Sequence, residues 1–429
     1  MHLSLLAILF PSVLIPTHVT ATQENPFLSP LPTGFENTTN TVLLKDNLAV
    51  IPAEWEHASL LSVFHDLRSD DSAVNSAFKA ISRASFIAWD ASFLSLTGPD
   101  AKVEALQSFE PPENTHTHEA PVYLPETNEV LYSDTSLVGT LFAIGVDGRE
   151  IREIKTTPPL RNVNGGTYHD GAVYVVENGG SVRGLWKLNS STGEAECLLN
   201  NYRGRHLNSP NDLIFNSKGD IYFTDPAYGW HQRWPGVQPP QLPNAIYHFN
   251  AQTKALTPLT NTLPTPNGLA LSPDERTLYI ANSNSSLGSP SSTRDVYAFD
   301  VSASGTQLTN QRLVYQAAEG FPDGIRVSKG GYLFVASAGG VNVVDPRTGV
   351  VMGRVNTPGD VVFNLEAVGM GGWVLTGNKH IYKVTMVESG KGQGGDGKAV
   401  VEGAEGLVGK VRGWLMGRLV EGVGERKEL

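Results

Sequence analysis

One cysteine in 429 residues, Cys197, has no partner for an intrachain disulfide and cannot build a zinc or iron–sulfur centre by itself. Basic residues are also scarce, 32 Lys and Arg against 43 Asp and Glu, which gives a net charge of -11. That field repels polyphosphate and anionic lipid, so nucleic acid and charged membrane surfaces are poor partners. No G-x-S-x-G segment occurs, which argues against a serine esterase built on a nucleophile elbow. Beyond the first residues no apolar run is long enough to cross a bilayer. What the chain does have is 44 Gly and 27 Pro, too many for long helical bundles, and 40% hydrophobic residues, ample for a large core.

Leu3 to Pro16 form a short apolar run leading into Val19-Thr20-Ala21. Small residues flanking the cut suit signal peptidase, so residues 1–21 are expected to be a cleaved leader and the protein to be secreted. Sequons at Asn37, Asn189 and Asn284 fit a glycoprotein, and the terminal Arg-Lys-Glu-Leu bears a faint likeness to an ER-retrieval tetrapeptide.

One pattern recurs: an apolar strand, a polar turn, and a second strand ending in a small or acidic residue. Its copies are Val122 to Asp134, Thr167 to Asn178, Leu213 to Asp225, Leu269 to Ser283, Ile325 to Ser337 and Leu365 to Thr376. A further pair of strands follows most copies, as in Gly139 to Ile154, Leu185 to Leu199, Ile246 to Leu259 and Val296 to Tyr315. Four-stranded meanders of about 50 residues have the size of propeller blades. The last copy lacks its fourth strand after His380 to Val384, and Lys102 to Phe109 lies unpaired upstream, preceded by another candidate strand at Phe93 to Thr97. If the upstream strand completes the last blade, the ring closes without an exposed edge. The expected fold is all-β, a six-bladed β-propeller over residues 85–387. An N-terminal extension over 22–84 should be partly helical, two short helices over Glu54 to Ser82 with Asp71 or Ser72 as the cap between them. The glycine-rich tail over 388–429 should be frayed, with a weak helix around Leu407 to Val423.

Just before each first strand stands an oxygen-bearing side chain: Glu119, Asn164, Asn211, Asn267, Asp323 and Asn364. For Glu119, Asn211, Asn267 and Asp323 the distance to the end of the second strand is fourteen or fifteen residues, so equivalent positions should meet on the ring axis. Asn and Asp before Gly also suit turns at blade entries, and that reading competes at any single position. Taken as a set, two carboxylates and four amides with no sulfur suit calcium better than zinc.

The segments HEAPVYLP, SPNDLIFNSKGDIYFTDPAYG, TPNGLALSPDERTLYIANS and FPDGIRVSKGGYLFVAS resemble signature segments of the gluconolactonase, senescence marker protein and luciferin-regenerating enzyme superfamily. The resemblance covers about Glu119 to Thr385 and implies a six-bladed propeller with a divalent cation, usually calcium, on its axis, and hydrolysis of a lactone substrate. It further implies Glu119, Asn267 and Asp323 as metal ligands, Asn211 as a channel residue touching substrate or metal, and Asp323 as general base. Asn164 and Asn364 are then expected to bind substrate. Axial calcium would polarise the lactone carbonyl and activate water, without a covalent intermediate.

His118, His169 and His206 lie near blade entries, and His118 is the imidazole expected to assist catalysis. His116-x-His118 lacks a third ligand at matching spacing. Gly390 to Gly395 satisfies G-x-G-x-x-G, but no strand–helix unit surrounds it, so it is low-complexity tail. Alternatives on the same scaffold are a calcium-dependent phosphotriesterase, a strictosidine-synthase-like condensing enzyme, and a non-catalytic secreted propeller with structural calcium.

Overall fold

The computed structural model describes residues 25–57, 67–109, 117–135, 139–148, 150–284, 293–369 and 371–391. Two compact units divide the chain, Met1–Gly395 and Asp396–Leu429, and the second lies wholly outside the described residues. So do the expected leader, His116 and the expected tail helix.

The recurring pattern forms antiparallel meanders. Four separate four-stranded sheets begin with the strands His118–Leu124, Val163–His169, Leu213–Phe215 and Pro266–Leu271. A nine-stranded sheet holds the rest of the repeats, from Ile325–Val327 through Leu333–Asp345 and Val350–Val368 to Gly372–Gly377 and His380–Thr385. Its far edge is Lys102–Ser108, which runs antiparallel to His380–Thr385, with Ser108 opposite His380 and Lys102 opposite Thr385. The upstream strand therefore completes the last meander, as its missing partner required.

Successive sheets pack face to face. Val122 and Leu131 meet Val173, Val175 and Trp186; Val176 and Leu185 meet Leu213, Ile221 and Phe223; Ile214 and Tyr222 meet Leu269 and Ile280; Ala270 and Val296 meet Ile325 and Val335. At the end of the series, Val368, Val374 and Ile381 pack on Val130, Tyr132 and Ile144 of the first sheet, so the succession returns to its start. The arrangement is all-β and propeller-like. Each fully buried aliphatic side chain in these seams contributes about 1.5–3 kcal/mol relative to exposure.

Two expectations fail locally. Where the first short helix was expected, Trp55–His57 and Leu67–Ser69 pair as antiparallel strands, residues 58–66 between them lying outside the described residues; the second is found as Ser72–Ile81, its start fixed by the Asp71 side chain accepting the Ala73 N–H at 2.7 Å. Phe93–Thr97 is a helix and not a strand: Phe93, Leu94, Leu96 and Thr97 are all buried, a pattern that a two-faced strand does not produce. The extension also shares a sheet with the repeats, because Phe86–Ala88 pairs with Gly353–Val355 on one side and Thr41–Leu43 on the other. At the start of the glycine-rich tail, expected to fray, the backbone is tied down: Lys329 N–H donates to Ser389 and Lys391 N–H to Val327. No helix among the described residues is long and apolar enough to cross a membrane.

Candidate active site

Four of the six inner strands enter through the same distortion, while Leu213–Phe215 and Ile325–Val327 pair in unbroken register. Pairing slips between Glu119 and Val122, between Val163 and Gly165, between Pro266 and Leu269, and between Val362 and Asn364. A bulge re-aims one side chain without ending the strand, and the residue re-aimed here is the oxygen-bearing one of those four repeats. Neighbouring strands then crowd together. A Cβ on Gly268 would lie 2.4 Å from the Asp323 carbonyl oxygen, and one on Gly324 would lie 2.1 Å from Asn364 Oδ1, so glycine is the only residue that fits after Asn267 and Asp323.

Hydrogen bonds bring four of the six expected residues together in two pairs. Asn211 Nδ2 donates to Asn164 Oδ1 at 2.9 Å, and Asn178 Nδ2 donates to the same oxygen at 2.8 Å. Asn364 Nδ2 donates to Glu119 Oε2 at 3.2 Å, while Asn267 Nδ2 donates to Ser283 Oγ at 3.0 Å. Glu119 is pushed well above the ordinary carboxylate range, first by burial and then by the charge of Asp323, against the hydrogen bond from Asn364. Burial pushes Asp323 up to about 8, opposed by Asn267 and reinforced by the charge of Asp212. Two buried carboxylates thus lie near enough for the charge of one to raise the other, and among the described residues no ion pair joins either to a basic side chain.

A counter-charge does lie close by, and the sequence reasoning missed it. Arg326 and Asp212 are each 1% exposed; Arg326 Nη1 donates to Asp212 Oδ2 at 3.3 Å, and its Nε donates to Glu366 Oε2 at 3.0 Å. With Glu119 and Asp323 the group holds four carboxylates and one guanidinium, a deficit of three positive charges when all are ionised. The available signal was a charged residue at three of the six inner strands, in Asn-Asp-Leu-Ile, Ile-Arg-Val and Leu-Glu-Ala.

Tyr228 was missed as well. It opens a short helix, Tyr228–His231, in the connection 226–244 that follows Asp225. Buried Asp225 accepts the Asn208 and Ser209 N–H groups at 2.9 and 2.8 Å, and Ser209 Oγ accepts the Gly229 N–H at 2.9 Å, which anchors the helix. The Tyr228 phenol consequently lies against Ser283 and Asn267 and faces Asp323 and Glu119. Its hydroxyl also donates to the Thr265 carbonyl, a long hydrogen bond of 3.4 Å.

The histidines are elsewhere. His118 is 1% exposed, stacks on Phe109 at 4.0 Å, and has Nδ1 at 2.6 Å from the Gly377 carbonyl; it sits in the wall, on the opposite side of its strand from Glu119. His169 stacks on Phe215 at the far end of its strand from Asn164, and His206 is exposed in a small hairpin. Among the described residues no three or more His, Cys, Asp or Glu side chains are placed so that they could share one metal ion.

Comparison with known proteins agrees with this geometry. The family described as SMP-30/Gluconolactonase/LRE-like region matches residues 117–370. The lactonohydrolase oryL of Aspergillus oryzae is 32% identical over 342 residues, covering 70% of this chain and 77% of its own length. A gluconolactonase of Zymomonas mobilis is 35% identical over 199 residues, 44% of this chain and 53% of its own length. Among solved structures, a gluconolactonase from Xanthomonas campestris superposes with a TM-score of 0.58 at 27% identity, covering 69% of this chain and 93% of that one. A match that spans the axial residues from Glu119 to Asn364, joined to a relative of this identity and coverage, establishes that the chain belongs to the SMP-30/gluconolactonase/LRE-like family.

Proposed function

We propose that this protein is a secreted lactonase built as a six-bladed propeller, with its reaction centre on the axis. The observation that carries this reading is the pair Glu119 and Asp323, both buried and near enough for the charge of one to raise the other. The names of the relatives, lactonohydrolase and gluconolactonase, support the substrate class. The six-blade count is supported by six recurring units and by Lys102–Ser108 completing the sixth. Secretion is supported by the leader-like segment, and glycosylation by exposed Asn37 and Asn189.

The donor set fits a divalent cation. Two carboxylates raised by burial and, at Glu119, by repulsion gain most from a positive charge between them, and hard oxygen ligands of this kind favour calcium. Glu119, Asp323, Asn267 and Asn211 would hold it; the amides now turn N–H groups toward neighbouring oxygens, and rotation about χ2 would present their carbonyl oxygens instead. When bound, such an ion supplies electrophilic help at the lactone carbonyl and lowers the pKa of water.

The rest of the chemistry belongs to side chains. Asp323 takes the proton of the attacking water on a carboxylate oxygen. The neutral Tyr228 phenol donates to the oxygen on which charge develops, trading its long bond to Thr265 for a better one. Asn164, fixed by Asn178 and Asn211, and Asn364 orient the ring. His118 remains the other candidate base only if its ring leaves the Gly377 carbonyl.

Hydrolysis of glucono-δ-lactone beside an aryl phosphotriester, followed by pH-stat before and after chelation, tests the reading. Lactone turnover that disappears with chelator and returns with calcium is expected. Turnover indifferent to chelation removes the cation, and preference for the phosphotriester removes the lactonase.

A further inference from the structure

Away from the axis, a cavity of about 340 Å³ is lined by Pro158, Pro159, Val182, Trp186, Pro235 and Glu177, among others. Flat apolar surfaces make up most of its wall, and one carboxyl is set among them. That carboxyl is held. Glu177 Oε1 accepts the Arg161 N–H at 2.9 Å, and the Trp186 indole N–H faces the same carboxyl without reaching a hydrogen-bond geometry. The other oxygen, Oε2, accepts no hydrogen bond among the described residues, and Glu177 keeps a residual 4% exposure. Burial also pushes this carboxyl up to about 7, so near neutrality it can accept from or donate to a hydroxyl.

The cavity is tied to the axis through two connections. Asn178, next to Glu177, holds axial Asn164. The connection 226–244, which delivers Tyr228 to the axis, also delivers Pro235 and Gly236 to the cavity, with the Gly180 N–H donating to the Pro235 carbonyl at 3.2 Å. Glu177 stands opposite Val163, the neighbour of Asn164, one strand or about 4.8 Å outward, and Trp186 lies on the strand beyond it. A substituent on a lactone bound at the axis can span that distance.

Resting on the lactonase reading, we infer that this cavity is the subsite for a neutral, hydroxyl-bearing ring carried by the lactone, with Glu177 Oε2 binding the hydroxyl and Pro158, Pro159, Pro235 and Val182 packing on the ring. Charge excludes the alternatives: Arg161 and Glu177 on the same wall disfavour a strongly ionic group of either sign. The volume suits one ring, at the low end of small-molecule sites.

Two measurements on the full-length protein test it. Saturation-transfer NMR with 1,4-cyclohexanediol, which cannot be hydrolysed, reads occupancy without turnover. The ratio of kcat/KM for δ-valerolactone bearing a 4-hydroxycyclohexyl group to that for unsubstituted δ-valerolactone reads the subsite in catalysis. Val182→Trp adds bulk at a position 47% exposed, outside the core, and Glu177→Gln keeps shape while removing the acid. Expected results are saturation transfer in the parent protein, lost in Val182→Trp, and a kcat/KM ratio lowered about tenfold in both variants. Absence of saturation transfer in the parent, or transfer unchanged in Val182→Trp, overturns the site. Transfer with an unchanged ratio overturns its role in substrate selection. If neither lactone is hydrolysed while the diol still binds in a Val182-dependent way, the lactonase reading fails and the ring-binding cavity stands.

Discussion

At the scale of single residues, Asp323 and Tyr228 carry separable roles. Asp323→Asn keeps a ligand oxygen of similar size and removes the base, so at saturating calcium the variant should stay folded and lose on the order of 10²-fold or more in turnover. Near-normal turnover, checked beside a circular-dichroism spectrum, would take Asp323 out of the base role. Tyr228→Phe removes one donor while leaving the ring in place; kcat should fall roughly 10²-fold with calcium affinity unchanged. Calorimetric titration with calcium separates this outcome from damage to the ion site. The pairs Asn164 with Asn211 and Glu119 with Asn364 were legible because each repeat carries an oxygen-bearing side chain just before its first strand. Tyr228 was not, since it arrives on a connection outside the repeat, held by Ser209 and Asp225 through contacts that have no periodicity. Arg326 escaped for a different reason. Its partners Asp212 and Glu366 lie 114 and 40 residues away in the chain, and no local spacing pairs them with it.

At the scale of elements, the strand pairs of all six repeats were readable from apolar runs and their turns, and so was the partner of His380–Thr385. Bulges were invisible, because a slip of one residue leaves no mark on composition. Phe93–Thr97 was misread since a short apolar run has no period to arbitrate helix from strand, and Trp55–His57 because pairing with Leu67–Ser69 overrides a weak helical spacing. The crowding of inner strands gives a prediction at this scale. Gly324→Ala puts a methyl group where Asn364 Oδ1 now lies, and overpacking of this kind costs about 1–3 kcal/mol. Denaturant titration should show that loss together with impaired calcium binding, because Asn364 is the residue that steadies Glu119. Full stability in Gly324→Ala would mean that the axis is looser than these distances allow.

For the whole molecule, buried carboxylates set the pH dependence of stability. Asp225 is raised to about 7 by burial, against the hydrogen bonds from Asn208 and Ser209, and Asp323 is raised to about 8. Unfolded aspartates titrate near 3.9, so between about pH 4 and 8 the folded chain binds more protons than the unfolded one. This contribution is full below the lower value and is lost as pH rises through the upper one. The melting temperature of calcium-free protein should therefore fall from pH 5 to pH 8. Calcium should offset more of that fall at pH 8, where about half of Asp323 is ionised, than at pH 5, where it is protonated, while the share due to Asp225 persists until Asp225→Asn removes it. A melting temperature rising over the same interval in chelator would contradict both assignments.

The pairing of Lys102–Ser108 with His380–Thr385 also orders events in time. About 280 residues separate the two strands, and at roughly 5–20 residues per second a ribosome needs tens of seconds to supply the second after the first. Throughout that interval the earliest strand of the ring waits with its hydrogen-bonding edge open, and Lys102 and Glu104 place charge along it, which discourages pairing with other nascent chains. A premature stop before His380 would accordingly do its damage at the opposite end of the chain, leaving Lys102–Ser108 permanently without a neighbour and available to any passing strand.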